Sequence, residues 1–121
     1  MAHLFTAVPG CTVESSWSGP IAVLSVSGTL DMLSAGYLQA GVDAALRDHP
    51  AALIVDLTEV EFLASAGMSV LIAANDAAGT EIRFAVVAHG AATARPLELT
   101  GLTEIIDLHT TRAEALSAAV E

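Results

Sequence analysis

The chain has no lysine, and its only four cations are Arg47, Arg83, Arg95 and Arg112. Against 14 carboxylates this leaves a formal charge of −10. Nucleic acid and anionic membrane surfaces both require clustered Lys or Arg, so neither is an expected partner. A single cysteine, Cys11, cannot form an intramolecular disulfide or a multi-cysteine zinc site. The chemistry fits a reducing cytoplasm. Residues 1–11 carry no Lys or Arg and only a short apolar stretch, which does not make a signal peptide. Val8-Pro9-Gly10-Cys11 resembles a lipoprotein cleavage site but lacks the basic start and apolar segment that such a site needs. The longest uncharged apolar stretch, residues 62–75, is shorter than the ~20 residues of a membrane helix and contains Ser, Gly and Asn.

What remains is a chain able to fold. It has 121 residues, 54% of them apolar, one domain's worth, with no repeat or linker. Residues 12–17 read as a short strand closed by Ser18-Gly19-Pro20. Residues 21–26, Ile-Ala-Val-Leu-Ser-Val, are apolar on both faces and read as an interior strand. Ser34 is placed to cap a helix reaching about residue 49. Its stripe is Leu38, Val42, Ala45 and Leu46, and Pro50 stops it. Residues 53–57 form a second buried-type strand, and a helix headed by Ser65 runs to about Gly79. Residues 82–88 form a third interior strand. Pro96 predicts a helix that begins near Arg95 or is kinked. Residues 105–108 read as a last strand, and Thr111-Arg112-Ala113-Glu114 as a capping box opening a terminal helix. Strands alternating with helices require crossovers. The expected fold is therefore α/β: one domain over residues 1–121, with a mixed, mostly parallel sheet of four to five strands and about four helices.

Few of the usual catalytic signatures are present. A hydrolase elbow needs Gly two residues before the serine, and Leu63 stands there. Gly28, Gly36 and Gly41 match no nucleotide fingerprint. His3, His49, His89 and His109 lie in unrelated segments and read as solvated. No metal, cofactor or enzymatic activity is expected. Asp31 and Asp56, at strand ends, read either as ligand-facing groups or as solvated or capping carboxylates.

The informative stretch is Asp56-Leu57-Thr58-Glu59-Val60-Glu61-Phe62-Leu63-Ala64-Ser65-Ala66-Gly67-Met68-Ser69-Val70-Leu71. At ~100° per residue, Met68, Leu71 and Ile72 are expected to face the sheet. Ala66, Val70, Ala73 and Ala77 would then form an outer stripe of small apolar residues, either a docking surface or unremarkable exposed alanines. Asn75 sits awkwardly on the inner side of that wheel. Ser65 reads as the N-cap. A phosphate there would add about −1.5 to −2 charges at the positive end of the helix, gaining roughly 0.3–1 kcal/mol. The same phosphate buried in an apolar contact would cost about 2–5 kcal/mol of binding. Phosphorylation at Ser65 would therefore release a partner rather than melt the domain.

This stretch resembles the core motif of STAS domains, specifically the anti-sigma factor antagonists. Gly28-Thr29-Leu30-Asp31 falls where that family has a Gly-x-x-Asp turn, and Thr100-Gly101-Leu102 before Ile105-Ile106 resembles its Thr-Gly-Leu. The resemblance spans residues 12–120. It implies a module that binds a cytoplasmic anti-sigma factor which is also a serine kinase, frees the sigma factor, and is switched off by phosphorylation at Ser65 and reset by a serine phosphatase. It also implies a partner-binding face made of Asp31, Thr58, Ala64, Ser65, Ala66, Gly67, Ser69, Val70 and Ala73. Ala64 and Ala66 stand where the family has Asp and Ser or Thr, leaving Ser65 as the sole hydroxyl of the loop. Two alternatives remain open: a STAS subunit of a transport complex, and a small ligand- or nucleotide-binding module without kinase control.

Overall fold

The computed structural model describes residues 3–120, with side chains described from Pro9 onward. Met1, Ala2 and Glu121, part of the expected domain, lie outside the described residues, as does the side chain of His3. The elements are β1 (His3–Val8), β2 (Cys11–Ser18), β3 (Ile21–Leu30), α1 (Ala35–Arg47), β4 (Ala52–Leu63), α2 (Ser65–Ala78), β5 (Arg83–Val87), α3 (Ala94–Leu99), a 3-10 turn (Leu102–Glu104), β6 (Asp107–His109) and α4 (Arg112–Ala119). The strands form a single sheet in chain order. β1, β2 and β3 are successively antiparallel, and β3 through β6 are parallel. This is the expected mixed, mostly parallel α/β fold with four helices.

The alternation of side chains along a strand divides the core. Leu24, Val26, Leu53, Val55 and Val86 share one core with Leu38 and Val42 of α1 and Leu71 and Ala74 of α2. Ile21, Val23, Ile54 and Val87 share the other with Ala115 of α4. Both faces of β3 and β4 are therefore covered in their first halves, which is why residues 21–24 and 52–55 are apolar at every position.

Two strands differ from the sequence expectation. β1 is additional to it. It pairs with β2 across the turn at Pro9-Gly10, where Gly10 has φ +85°, and that Pro-Gly pair between Val8 and Cys11 is the signal that marks the hairpin. β4 runs six residues past the expected 57. Its far half pairs with β3 alone, through two register shifts between Ser25 and Thr29. The extra residues break the alternation, and exposed Thr58, Glu59 and Glu61 give the segment the polarity of a loop. Smaller shifts occur later. Pro96 is the third residue of α3, still within the first turn where a missing N–H costs nothing, and the last strand starts at Asp107 because Ile105 closes the 3-10 turn.

α4 opens as expected, with Thr111 Oγ1 accepting from the Glu114 N–H at 3.1 Å. The hydroxyls of Thr110 and Thr111 donate to the Glu114 carboxylate and hold its pKa below the ordinary value. The helix is anchored by Arg112, whose Nε donates to Asp56 Oδ2 at 2.8 Å and whose NH2 group donates to Ser25 Oγ at 2.6 Å. Asp56 is only 4% exposed, and its other oxygen accepts from the Thr58 N–H and hydroxyl at 2.9 and 2.7 Å. It thus serves as a structural carboxylate in the middle of β4, not as a ligand-facing group. Arg112→Ala leaves this carboxylate half-satisfied, and the expected loss is about 1–3 kcal/mol. The arginine is itself 44% exposed, so water can partly replace it. Urea denaturation checks the value. An unchanged midpoint would show that the pair contributes nothing.

Candidate functional site

The site is built where β3 and β4 end side by side. Leu30 pairs with Leu63, and the Ala64 N–H donates to the Leu30 carbonyl at 2.9 Å. This fixes the entry to α2. The extended residue is Ala64 (φ −89°, ψ 168°), whose carbonyl accepts from the Gly67 and Met68 N–H groups at 3.0 and 3.2 Å. Ala64 is therefore the N-cap. Ser65 is the first helical residue rather than the cap, and its hydroxyl makes no capping bond. It is exposed, with its hydroxyl at the positive end of the helix. One turn on, Ser69 donates to the Ser65 carbonyl at 3.1 Å.

Gly67 is where α2 touches the strands. A Cβ there would lie 2.8 Å from Leu30 Cγ and 2.9 Å from Leu63 Cδ1. The buried face of the helix is Gly67, Val70, Leu71, Ala74 and Ala78. It is turned from the expected face by about one residue, ~100°. Small residues let the helix sit close to the sheet, while Met68 and Ile72 are half-buried at its flank, and Thr100 Oγ1 lies 3.7 Å from Met68 Sδ. Val70 is therefore a core residue and not part of an outer stripe. Asn75 is resolved by the same rotation, since its side-chain amide donates to the Ile105 carbonyl at 3.3 Å. The exposed side carries Ser65, Ser69, Ala73, Asp76 and Ala77.

Asp31 lies across from Ser65 in the β3–α1 turn. Its Oδ1 accepts from the N–H groups of Leu33 and Ser34 at 2.9 and 3.2 Å. Buried Ser34 donates to the Thr29 carbonyl at 2.8 Å and accepts from the Asp31 N–H at 2.9 Å. Its hydroxyl thus staples the turn and makes no helix-capping bond, contrary to expectation. Burial pushes the nearby Cys11 thiol above its ordinary value. A hydrogen bond with Ser34 acts against this, and the Asp31 charge adds to it, so Cys11 is a core thiol.

Of the residues expected on the partner-binding face, Ala64, Ser65, Ala66 and Ser69 are exposed or half-buried around the head of α2, Ala73 is exposed about two turns further along the helix, and Asp31 is on the neighbouring loop. Thr58 is exposed on β4, with its hydroxyl engaged by Asp56. Gly67 and Val70 point into the core and shape the surface from below. Sequence reasoning missed the exposed apolar side chains Met32, Leu33, Tyr37 and Phe62, which sit at this same end. The available signal was that Met32, Leu33 and Phe62 are large apolar residues inside segments otherwise polar enough to be loops. Segments 29–34 and 58–69 together hold three carboxylates, Asp31, Glu59 and Glu61, and no arginine. Among the described residues no cluster of three or more His, Cys, Asp or Glu could hold a metal, and no helix is long and apolar enough to cross a membrane.

The family model described as "STAS domain" matches residues 13–115. The chain is 37% identical over 112 residues to the anti-sigma-F factor antagonist RsfB of Mycobacterium tuberculosis, covering 93% of this chain and 92% of RsfB. Its fold superposes on the crystal structure of an anti-sigma factor antagonist from Mycobacterium paratuberculosis with a TM-score of 0.90 at 40% identity, covering 96% of this chain and 99% of that one. The Bacillus cell fate determinant SpoIIAA in its phosphorylated form gives a TM-score of 0.66 at 14% identity over 88% of this chain and 97% of SpoIIAA, a likeness of fold.

Proposed function

Because this chain belongs to the STAS domain family, we propose that it is an anti-sigma factor antagonist. It binds a cytoplasmic anti-sigma factor that is also a serine kinase and thereby frees the sigma factor. Phosphorylation of Ser65 ends the complex, and a serine phosphatase restores it. It is a binding module and not an enzyme, and it requires no cofactor, nucleic acid or membrane. The observation that carries this reading is the placement of Ser65: a solvated hydroxyl at the first position of α2, beside Ala64 and Ala66 and one turn from Ser69, with no competing intramolecular bond among the described residues. A phosphate there meets the helix dipole favourably, so the domain stays folded while the surface changes charge. The relatives named as antagonists support the partner class.

The test uses the purified anti-sigma factors of the source organism, each mixed with this protein with and without ATP. One of them is expected to form a complex without ATP and to lose it when ATP is added. Tandem mass spectrometry should then place a single phosphate on Ser65, absent in Ser65→Ala. Phosphate found only on Thr58 or Ser69 would remove Ser65 from the reading, and none with a binding partner would remove kinase control; either would favour a transport-type STAS role.

A further inference from the structure

Seven large apolar side chains are exposed among the described residues, and four of them, Met32, Leu33, Tyr37 and Phe62, gather at the end of the molecule that carries Ser65. Met32 and Leu33 are 81% and 83% exposed and Phe62 is 56% exposed, values that folding by itself does not favour for side chains of this size. Leu30 and Leu63 are paired neighbours. With a strand spacing of ~4.8 Å and 3.8 Å between successive Cα atoms, the Cα atoms of Met32, Leu33 and Phe62 are no more than roughly 20 Å apart. Leu33 and Tyr37 also line a shallow depression with Pro9, Gly10 and Thr29. The apolar group is bordered by Asp31, Glu59 and Glu61, and neither segment that bears it contains a cation.

We infer that Met32, Leu33 and Phe62 are the apolar anchors by which this protein grips its anti-sigma factor. The surface they fit is an apolar depression rimmed by Lys or Arg. This rests on the reading of the chain as an anti-sigma factor antagonist and names the contact that carries the affinity. Apolar anchors at the centre of an interface exclude water. The acidic border matches a basic rim and speeds encounter. The arrangement also explains how a phosphate on Ser65 acts. It lands at the margin of a water-excluding contact, among carboxylates, in segments without an arginine to pair with it.

The experiment measures binding of the purified anti-sigma factors to the wild type, to Met32→Ser/Leu33→Ser/Phe62→Ser, to the single variants Leu33→Ser and Phe62→Ser, and to Val120→Ser. Val120 is an equally exposed apolar residue beyond α4. The triple variant is expected to melt at the wild-type temperature and to bind at least about tenfold more weakly, while Val120→Ser binds normally. Glu59→Gln/Glu61→Gln is expected to slow association and flatten its salt dependence. If the wild type binds and the serine variants bind equally well, the inference is overturned and the functional reading stands. If no anti-sigma factor binds the wild type, both are overturned. If sedimentation shows a dimer that these substitutions disperse, without a change in anti-sigma affinity, the patch serves a second copy of the chain and the inference is again overturned. If the single variants unfold the domain, the side chains are structural and the inference also fails.

Discussion

Ser65→Asp is expected to weaken binding of the anti-sigma factor ten- to a hundredfold while shifting unfolding stability by no more than about 1 kcal/mol. Two effects compete at this position, and they act on different equilibria. Within the folded domain, a carboxylate on the first residue of α2 meets the positive end of the helix, worth about 0.3–1 kcal/mol in favour of the native state. Ser65 is exposed, so no group is buried by the change. In a complex that covers the head of α2, the same carboxylate must lose water. Asp31, Glu59 and Glu61 already make the region negative, and segments 29–34 and 58–69 supply no cation. An unpaired desolvated charge costs about 2–5 kcal/mol, and one carboxylate carries less charge than a phosphate, so the lower part of that range applies. At ~1.4 kcal/mol per tenfold this is one to two decades. Titration calorimetry and thermal melting on the same sample separate the two effects. A variant that loses stability by several kcal/mol would contradict the placement of Ser65 at the helix start, and one that binds normally would put the partner elsewhere.

Gly28→Ala is expected to cost about 2–5 kcal/mol of stability, a large share of what a domain of this size has. Gly28 adopts φ +89°, a conformation that costs an alanine about 1–2 kcal/mol. A Cβ at this residue would also lie 2.1 Å from the carbonyl oxygen of Gly10. That oxygen cannot move freely, because it accepts the Thr29 N–H at 2.6 Å. Relief requires pushing the β1–β2 turn off β3, an overpacking cost of about 1–3 kcal/mol. Gly10→Ala separates the contributions. Gly10 also has positive φ, +85°, but its added carbon meets nothing within 4 Å. It should lose only the backbone part, about 1–2 kcal/mol. Urea midpoints for the two variants test this, and equal losses would show that the close approach at Gly28 is easily relieved. Gly28 is two residues before Leu30, which receives the Ala64 N–H, so a shifted β3 end also disturbs the entry to α2.

The fold was largely legible because its interior strands and α1 carry their own signals. Ile21 to Val26 is apolar on both faces whatever surrounds it, and the spacing of Leu38, Val42 and Ala45 is helical in any context. The head of α2 was legible to within one residue. Ser65 looks like a cap because serine usually is one, yet here the pairing of Leu30 with Leu63 makes Ala64 the extended residue and moves Ser65 one step into the helix. The rotation of α2 is not legible in the sequence, because hydrophobic size does not mark its inner face. Gly67, Ala74 and Ala78 are small enough for the sheet to come close, and that closeness is a property of two elements together.

By itself the amino-acid order determined the alternation of strands and helices, the acidic balance and the serine beside a helix start. All of these depend on neighbours within a turn or two along the chain. The tertiary structure alone decided three things. Arg112 reaches across fifty-six positions to hold Asp56, the far half of β4 is strand rather than loop, and the segment with Met32 and Leu33 leaves the sheet at the same end as Phe62 and Ser65. Such pairings are set by strand register and by which faces can approach closely, and residues distant in the chain carry no local mark of the partner that folding will bring to them.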